Sequence, residues 1–209
     1  MSSSSSSEKY DRLAEGFSER EYAAPELYSD RRAQLFLEVG PPLPRGSTVV
    51  DLGCGDGIMA APLVSRGLRY IGVDVSEQMV EAARRRYPGV EFVASPQEDY
   101  SPAEPVEATL CLRAFYYPED RVAFFRHVAE YTRIKFVFDF RQAEHSAESV
   151  LADVRAAGFT RIELRPFFTP QRRALPGFAL TLLGLVERTG PLALWLSKRF
   201  GRVFCSASR

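Results

Sequence analysis

The segment Val49-Val50-Asp51-Leu52-Gly53-Cys54-Gly55-Asp56-Gly57 joins an apolar, β-branched run to an acid and then to alternate glycines. Val49 and Val50 follow the turn-forming stretch Pro41 to Gly46, which predicts a strand that starts near Ser47 and stops at Asp51. Gly53, Gly55 and Gly57 permit positive φ and leave backbone N–H groups uncovered by side chains. Ile58 to Val64 then resumes the apolar spacing of a helix. In this order the three pieces let a ligand lie directly against backbone.

A second acid follows at a telling distance. Tyr70-Ile71-Gly72-Val73-Asp74 is another short apolar strand ending in a carboxylate, and Ser76 is placed to N-cap a helix running through Arg86, with Glu77 in its first turn. Strand, glycine turn, helix and acid-tipped strand form the βαβ half of a doubly wound sheet, in which the second acid accepts hydrogen bonds from ribose hydroxyls. A dinucleotide fingerprint is incomplete, because Ile58 stands where G-x-G-x-x-G requires its third glycine. The P-loop is excluded, since no Gly-Lys-Ser/Thr follows.

Over Thr48 to Pro88 these residues resemble the class I S-adenosylmethionine-dependent methyltransferases, whose first motif is an acid two residues before a G-x-G-x-G turn. The resemblance implies a Rossmann-like α/β fold with seven strands in the order 3-2-1-4-5-7-6, the last strand reversed. It also implies S-adenosyl-L-methionine as cofactor and S-adenosyl-L-homocysteine as product. By the same resemblance Asp51, Gly53, Cys54, Gly55 and Gly57 face the methionine part, Asp74 holds the ribose hydroxyls, and Val75 and Met79 lie against adenine. Relatives place an aspartate after strand three, expected here at Val90 to Ala94. This chain has Pro96 in its place, which leaves the adenine edge to Gln97, Glu98 or backbone. Strand four is expected at Ala108 to Arg113, making Leu112, Arg113, Tyr116 and Tyr117 the wall shared by cofactor and acceptor. Strand five is expected at Phe136 to Phe140, with Tyr131 to Ile134 replacing the Pro-Gly-Gly turn of many relatives.

Length and composition fit one domain: 209 residues lie below the size at which cores divide, and 45% hydrophobic residues supply a sizeable core. Met1 and the six serines after it lack an apolar run and are read as a disordered tail (1–7), neither signal peptide nor anchor, before a methyltransferase domain over 8–209. Cys54, Cys111 and Cys205 are odd in number and widely spaced, without zinc or disulfide spacing, which suits a reducing cytoplasm. No ligand set for a metal is visible, and metal independence is expected.

Residues 8–40 carry Tyr10, Leu13, Phe17, Tyr22, Leu27, Tyr28, Leu35 and Phe36 at helical spacing around a Glu21 to Pro25 linker. The resemblance casts this segment as a cover over the cofactor, with Tyr10, Phe17, Tyr22 and Arg31 as contacts. At the other end, Arg165 to Arg209 contains eight basic residues against the single acid Glu187, a local charge of +7 in a chain of zero net charge. Leu175 to Val186 and Pro191 to Leu196 are almost wholly apolar and predict a helical hairpin within 168–201, between strands at Arg161 to Phe167 and Arg202 to Ser206. Neither run approaches the roughly 20 residues of a transmembrane helix. Three readings stay open: a lid over a lipophilic acceptor, a transient membrane-surface or dimer contact, and plain cover for the core. Basic residues mixed with long aliphatic runs do not make a nucleic-acid face. The chain is thus expected to be monomeric or homodimeric.

A sulfonium methyl is already activated, so the main task is to hold an acceptor lone pair in line at roughly 3 to 3.5 Å. A hydroxyl or ammonium acceptor also needs a base. His145, a few residues beyond strand five at the carboxyl edge of the sheet, is the candidate, with Arg113, Tyr116 and Tyr117 orienting the acceptor and Asp139 and Arg141 nearby. His127 falls off the apolar face of a helix expected from Pro118 to Tyr131 and is read as solvated. Methyl transfer to an oxygen or nitrogen of a small, lipophilic or anionic molecule is the expected activity. The alternatives are a non-catalytic cofactor-binding regulatory subunit and, more distantly, a nucleotide-linked oxidoreductase.

Overall fold

The computed structural model describes residues 8–209, so the Ser-rich tail lies outside the described residues. Its seven strands are β1 (Thr48–Leu52), β2 (Arg69–Asp74), β3 (Glu91–Ala94), β4 (Val106–Cys111), β5 (Thr132–Phe140), β6 (Arg161–Phe167) and β7 (Arg202–Ser208). They form one sheet in the order β3-β2-β1-β4-β5-β7-β6, as the resemblance implies. The pairs among β1 to β5 are parallel, and β7 runs antiparallel to both β5 and β6.

Helices cover both faces. After residues 8–11, which are helical, come α1 (Phe17–Glu21) and α2 (Pro25–Glu38), then α3 (Ala60–Val64), α4 (Glu77–Arg86), α5 (Arg121–Tyr131) and α6 (Ala147–Ala156). The insertion between β6 and β7 folds as α7 (Gly177–Glu187) and α8 (Pro191–Ser197). Caps set several starts. The Ser76 hydroxyl accepts the Met79 N–H at 3.1 Å at the head of α4, and the Asp120 carboxylate accepts the Ala123 N–H at 2.9 Å at the head of α5. Asp120 moves that helix start three residues beyond the expected Pro118. At its other end α5 passes straight into β5, so Thr132 to Lys135 extend the strand rather than form a loop.

Two apolar layers flank the sheet. One packs Phe36, Val49, Leu63, Phe92 and Leu110 under α2 and α3, and the other packs Phe115, Phe125, Phe136, Phe138 and Val150 under α5 and α6. Burying each such side chain favours folding by about 1.5–3 kcal/mol. Lys135 is fully buried within the first layer, and its Nζ donates to the carbonyls of Phe36 and Val39, each at 2.8 Å. Those carbonyls end α2, so the ammonium satisfies acceptors that the helix leaves open. Burial lowers the Lys135 pKa to about 8, against the raising effect of Glu163.

The β6–β7 turn lies at the carboxyl edge of the parallel strands, because Phe140 at the end of β5 pairs with Val203 at the start of β7. The α7–α8 insertion therefore emerges at the same edge as the ends of β1, β2 and β4. That is where ligands bind in open α/β sheets.

Candidate active site

A cavity of about 670 Å³ opens at the carboxyl ends of β2, β1 and β4. Asp74 and Val75 line it at the end of β2, Asp51, Gly53, Cys54 and Gly55 at the end of β1, and Leu112, Arg113, Tyr116 and Tyr117 beyond β4. Met79, Gln97 and Glu98 complete the expected set. Two expected residues are not there. Gly57 does not line the cavity, and His145 lies outside it, behind the wall, stacked on Tyr116 at 5.7 Å and edge-on to Phe115. Burial and the Arg121 charge lower the His145 pKa. The histidine that does line the cavity is His127, whose Nε2 donates to the Tyr100 carbonyl at 2.9 Å. Its helical position off the apolar face suggested solvent, but the face of α5 that carries Ala123, Phe124 and His127 lines the pocket.

The glycine turn is built for its own chain as well as for a ligand. Gly53 has φ +73°, and a Cβ there would meet the Ala114 Cβ at 2.5 Å. Gly57 has φ +77°, and its Cβ would meet the Phe92 ring at 2.8 Å, so this glycine serves packing of the turn onto α4 and β3. The acids are held firmly. Asp51 Oδ2 accepts the Tyr70 hydroxyl at 2.6 Å, and burial pushes its carboxyl up to about 7 against that hydrogen bond. Asp74 accepts the Gly55 N–H at 2.8 Å and the Ser76 N–H at 2.9 Å; burial raises its pKa while these N–H groups oppose the shift.

Gln97 is buried with its amide committed. Its Nε2 donates to the Ala114 carbonyl at 3.0 Å and its Oε1 faces the Cys111 Sγ at 3.5 Å, so it braces the β3 and β4 ends rather than presenting a free edge. Glu98 remains exposed at the rim. Cys54, Cys111 and Cys205 are buried free thiols, and burial raises the pKa of each. Arg113 leaves β4 with φ +64°, a conformation costly for a side-chain-bearing residue. Asp139 stabilises it: Oδ1 accepts the Arg113 N–H at 2.6 Å, and the same carboxylate pairs with Arg202. The alternation along β5 thus turns Asp139 inward, as a positioning group.

The N-terminal segment covers the cavity through Tyr10, Phe17 and Tyr22. The Tyr10 and Tyr117 hydroxyls are hydrogen-bonded, and the Tyr22 hydroxyl accepts from Arg113 Nη1 at 2.9 Å. Two polar latches hold the segment. Ser76 Oγ donates to Asp11 at 2.6 Å, and Asp56, within the glycine turn, accepts the Ser18 N–H at 3.1 Å and the Ser18 hydroxyl at 2.5 Å while pairing with Arg86 at 3.0 Å. Sequence reading missed these latches, because Asp56 looks like an ordinary turn residue until Ser18 is placed beside it. Arg31, an expected contact of the cover, instead pairs with buried Glu187 at 2.8 Å and ties α2 to α7.

Residues 49–134, spanning β1 to the start of β5, match the methyltransferase domain family. Over those residues the chain is similar to methyltransferase domains. The trans-aconitate 2-methyltransferase of Azoarcus sp. (strain BH72) is 42% identical over 78 residues, covering 36% of this chain and 31% of that protein. Curated relatives are matched over only 26% to 52% of their own lengths. Among solved structures, the cyclase SpnF superposes on 100% of the chain and 97% of its own with TM-score 0.72 at 17% identity. The magnesium protoporphyrin IX methyltransferase from Synechocystis PCC 6803, solved with bound S-adenosylmethionine, covers 88% of the chain and 79% of its own with TM-score 0.62 at 19% identity. At these identities the last two likenesses establish the fold of the domain alone. Among the described residues no group of three or more His, Cys, Asp or Glu side chains could hold a metal ion.

Proposed function

We propose that the domain transfers a methyl group from S-adenosylmethionine to an oxygen or nitrogen atom of a small, anionic acceptor, with oxygen favoured. The carrying observation is that one cavity joins the Asp51–Asp74 cradle to a wall of tyrosines around Arg113. The cradle suits the cofactor: Asp74 keeps free lone pairs for ribose hydroxyls, Val75 and Met79 offer apolar surface to adenine, and the Gly53 to Gly55 backbone leaves room beside Asp51. When bound, S-adenosylmethionine supplies the activated methyl.

The wall argues for the acceptor class. Burial raises the pKa of Tyr10, Tyr116 and Tyr117, so these phenols stay protonated and donate hydrogen bonds rather than take protons. Arg113, paired with Glu21 at 3.6 Å, adds a guanidinium to the same wall. With His127 Nε2 committed to the Tyr100 carbonyl and Asp51 to the Tyr70 hydroxyl, the donors and the guanidinium favour an acceptor that arrives already deprotonated, such as a carboxylate, which needs no proton removal before attack. The likeness of a 78-residue stretch to trans-aconitate 2-methyltransferase supports the same chemistry. The test is S-adenosylhomocysteine production with a panel of small carboxylates, phenols and amines. Turnover with carboxylates ahead of amines supports the reading. Cofactor uptake without product across the panel favours a regulatory cofactor-binding subunit instead.

A further inference from the structure

The α7–α8 insertion was open to three readings, and the structure decides against two of them. Among the described residues none from 168–201 lines the cavity, so the insertion is no lid over the acceptor. It also covers little core, since only Leu180 and Glu187 of α7 and Ala193 and Ser197 of α8 are buried. What it presents outward is apolar: Phe178 is 72% exposed, Trp195 65%, Phe200 60%, Leu182 58%, Leu185 57% and Leu192 56%. Phe178, Leu182 and Leu185 fall on one face of α7, and Leu192 and Trp195, three residues apart, on one face of α8. Scattered exposed apolar residues are ordinary, but six large ones within the 24 residues from 177 to 200 mark an interaction surface.

Charge decides the partner. Arg173, Lys198 and Arg199 are exposed at the ends of this face and form no ion pair among the described residues. The sole acid between 168 and 201, Glu187, is buried against Arg31 and the Phe168 N–H. A second copy in a two-fold contact would set these cations against their own kind. An anionic bilayer meets both halves of the surface, apolar side chains entering the acyl boundary and cations the headgroups. No described helix is long and apolar enough to span a membrane, and α7 and α8 are bent by 112° at their junction. At about 1.5 Å per residue neither reaches across a hydrocarbon core of about 30 Å.

We propose that the α7–α8 hairpin seats the protein on anionic lipid surfaces in the plane of the interface. The carboxyl edge of the sheet, where the cavity opens, then faces the bilayer side. This proposal stands apart from the methyl-transfer reading, because lipid binding needs no cofactor. Trp195 is the only tryptophan, so its emission reports the hairpin directly. The full chain is mixed with vesicles of phosphatidylcholine alone or with an equal part of phosphatidylglycerol, and flotation and Trp195 emission are read. Binding and a blue shift with the anionic vesicles, weakened by salt, are expected. Replacing Lys198 and Arg199 by Gln should lower partitioning about thirtyfold. The F178S/W195S variant, altered only at exposed positions and checked by circular dichroism, should lose flotation. Absence of any shift or flotation overturns the proposal. So does a blue-shifted Trp195 with a concentration-dependent dimer in sedimentation without lipid, which assigns the face to a second copy.

Discussion

Asp51 offers a test in which stability and function separate. Its carboxyl is buried, it accepts a hydrogen bond from Tyr70, and its pKa is raised to about 7. The unfolded carboxyl titrates near its ordinary value of about 3.9. A raised folded pKa means the folded chain binds a proton that the unfolded chain lacks, so the associated stability is present at low pH and is lost as pH rises through about 7. From pH ~8.5 down to pH ~5 the gain spans about two pK units, roughly 2.7 kcal/mol at 1.36 kcal/mol per unit. Asp51→Asn keeps an acceptor for Tyr70 and carries no charge at either pH. Urea unfolding of both proteins, without cofactor, isolates the carboxyl because every other titration is shared. The stability difference between variant and wild type should therefore shift in the variant's favour by about 2.7 kcal/mol on going from the lower pH to the higher. It should also bind S-adenosylmethionine more weakly. Parallel pH profiles for the two proteins would refute the buried, proton-linked Asp51.

Other changes probe the remaining parts of the site. Asp74→Ala removes acceptors for charge-assisted hydrogen bonds worth roughly 1.5–3 kcal/mol each and should weaken S-adenosylmethionine binding at least tenfold by calorimetry; unchanged affinity would remove its role. His145→Ala should leave kcat/KM within about twofold, because the ring lies outside the cavity, whereas a loss of 10²-fold or more would restore it as a base. Asp139→Ala leaves the partly buried Arg202 without its partner and releases the Arg113 turn, which should cost about 3 kcal/mol in thermal unfolding. A loss below about 1 kcal/mol would show that Asp139 does not hold that turn. Gly53→Ala combines positive φ with a clash on Ala114 and should destabilise by roughly 2–4 kcal/mol.

The fold was readable wherever local chemistry and tertiary context agree. The acid-tipped strands, the Ser76 cap, and the closing strands around an apolar insertion each carry their own signal, and the structure places them within a few residues of expectation. The strand order came from the family resemblance and not from periodicity, which cannot rank parallel neighbours. Side-chain direction beyond the strand ends was illegible. His145 and His127 exchanged places relative to the cavity because loop course, not spacing, sets which ring faces inward. Gln97 looked free to serve a ligand, but the nearby Ala114 carbonyl claims its amide. Lys135 gave no warning at all: a lysine in a strand is expected at an edge, and only the end of α2 above it explains a buried one.

The latches at Asp11–Ser76 and Ser18–Asp56 have a practical corollary. Ser76 also caps α4, and Asp56 also belongs to the glycine turn, so the cover and the cradle share parts. Trimming the chain to begin after Tyr22, a natural choice if residues 8–22 are taken for a dispensable leader, would delete one side of the binding chamber and unpin the other. Affinity tags belong at the far end, provided they leave the β7 pairing intact.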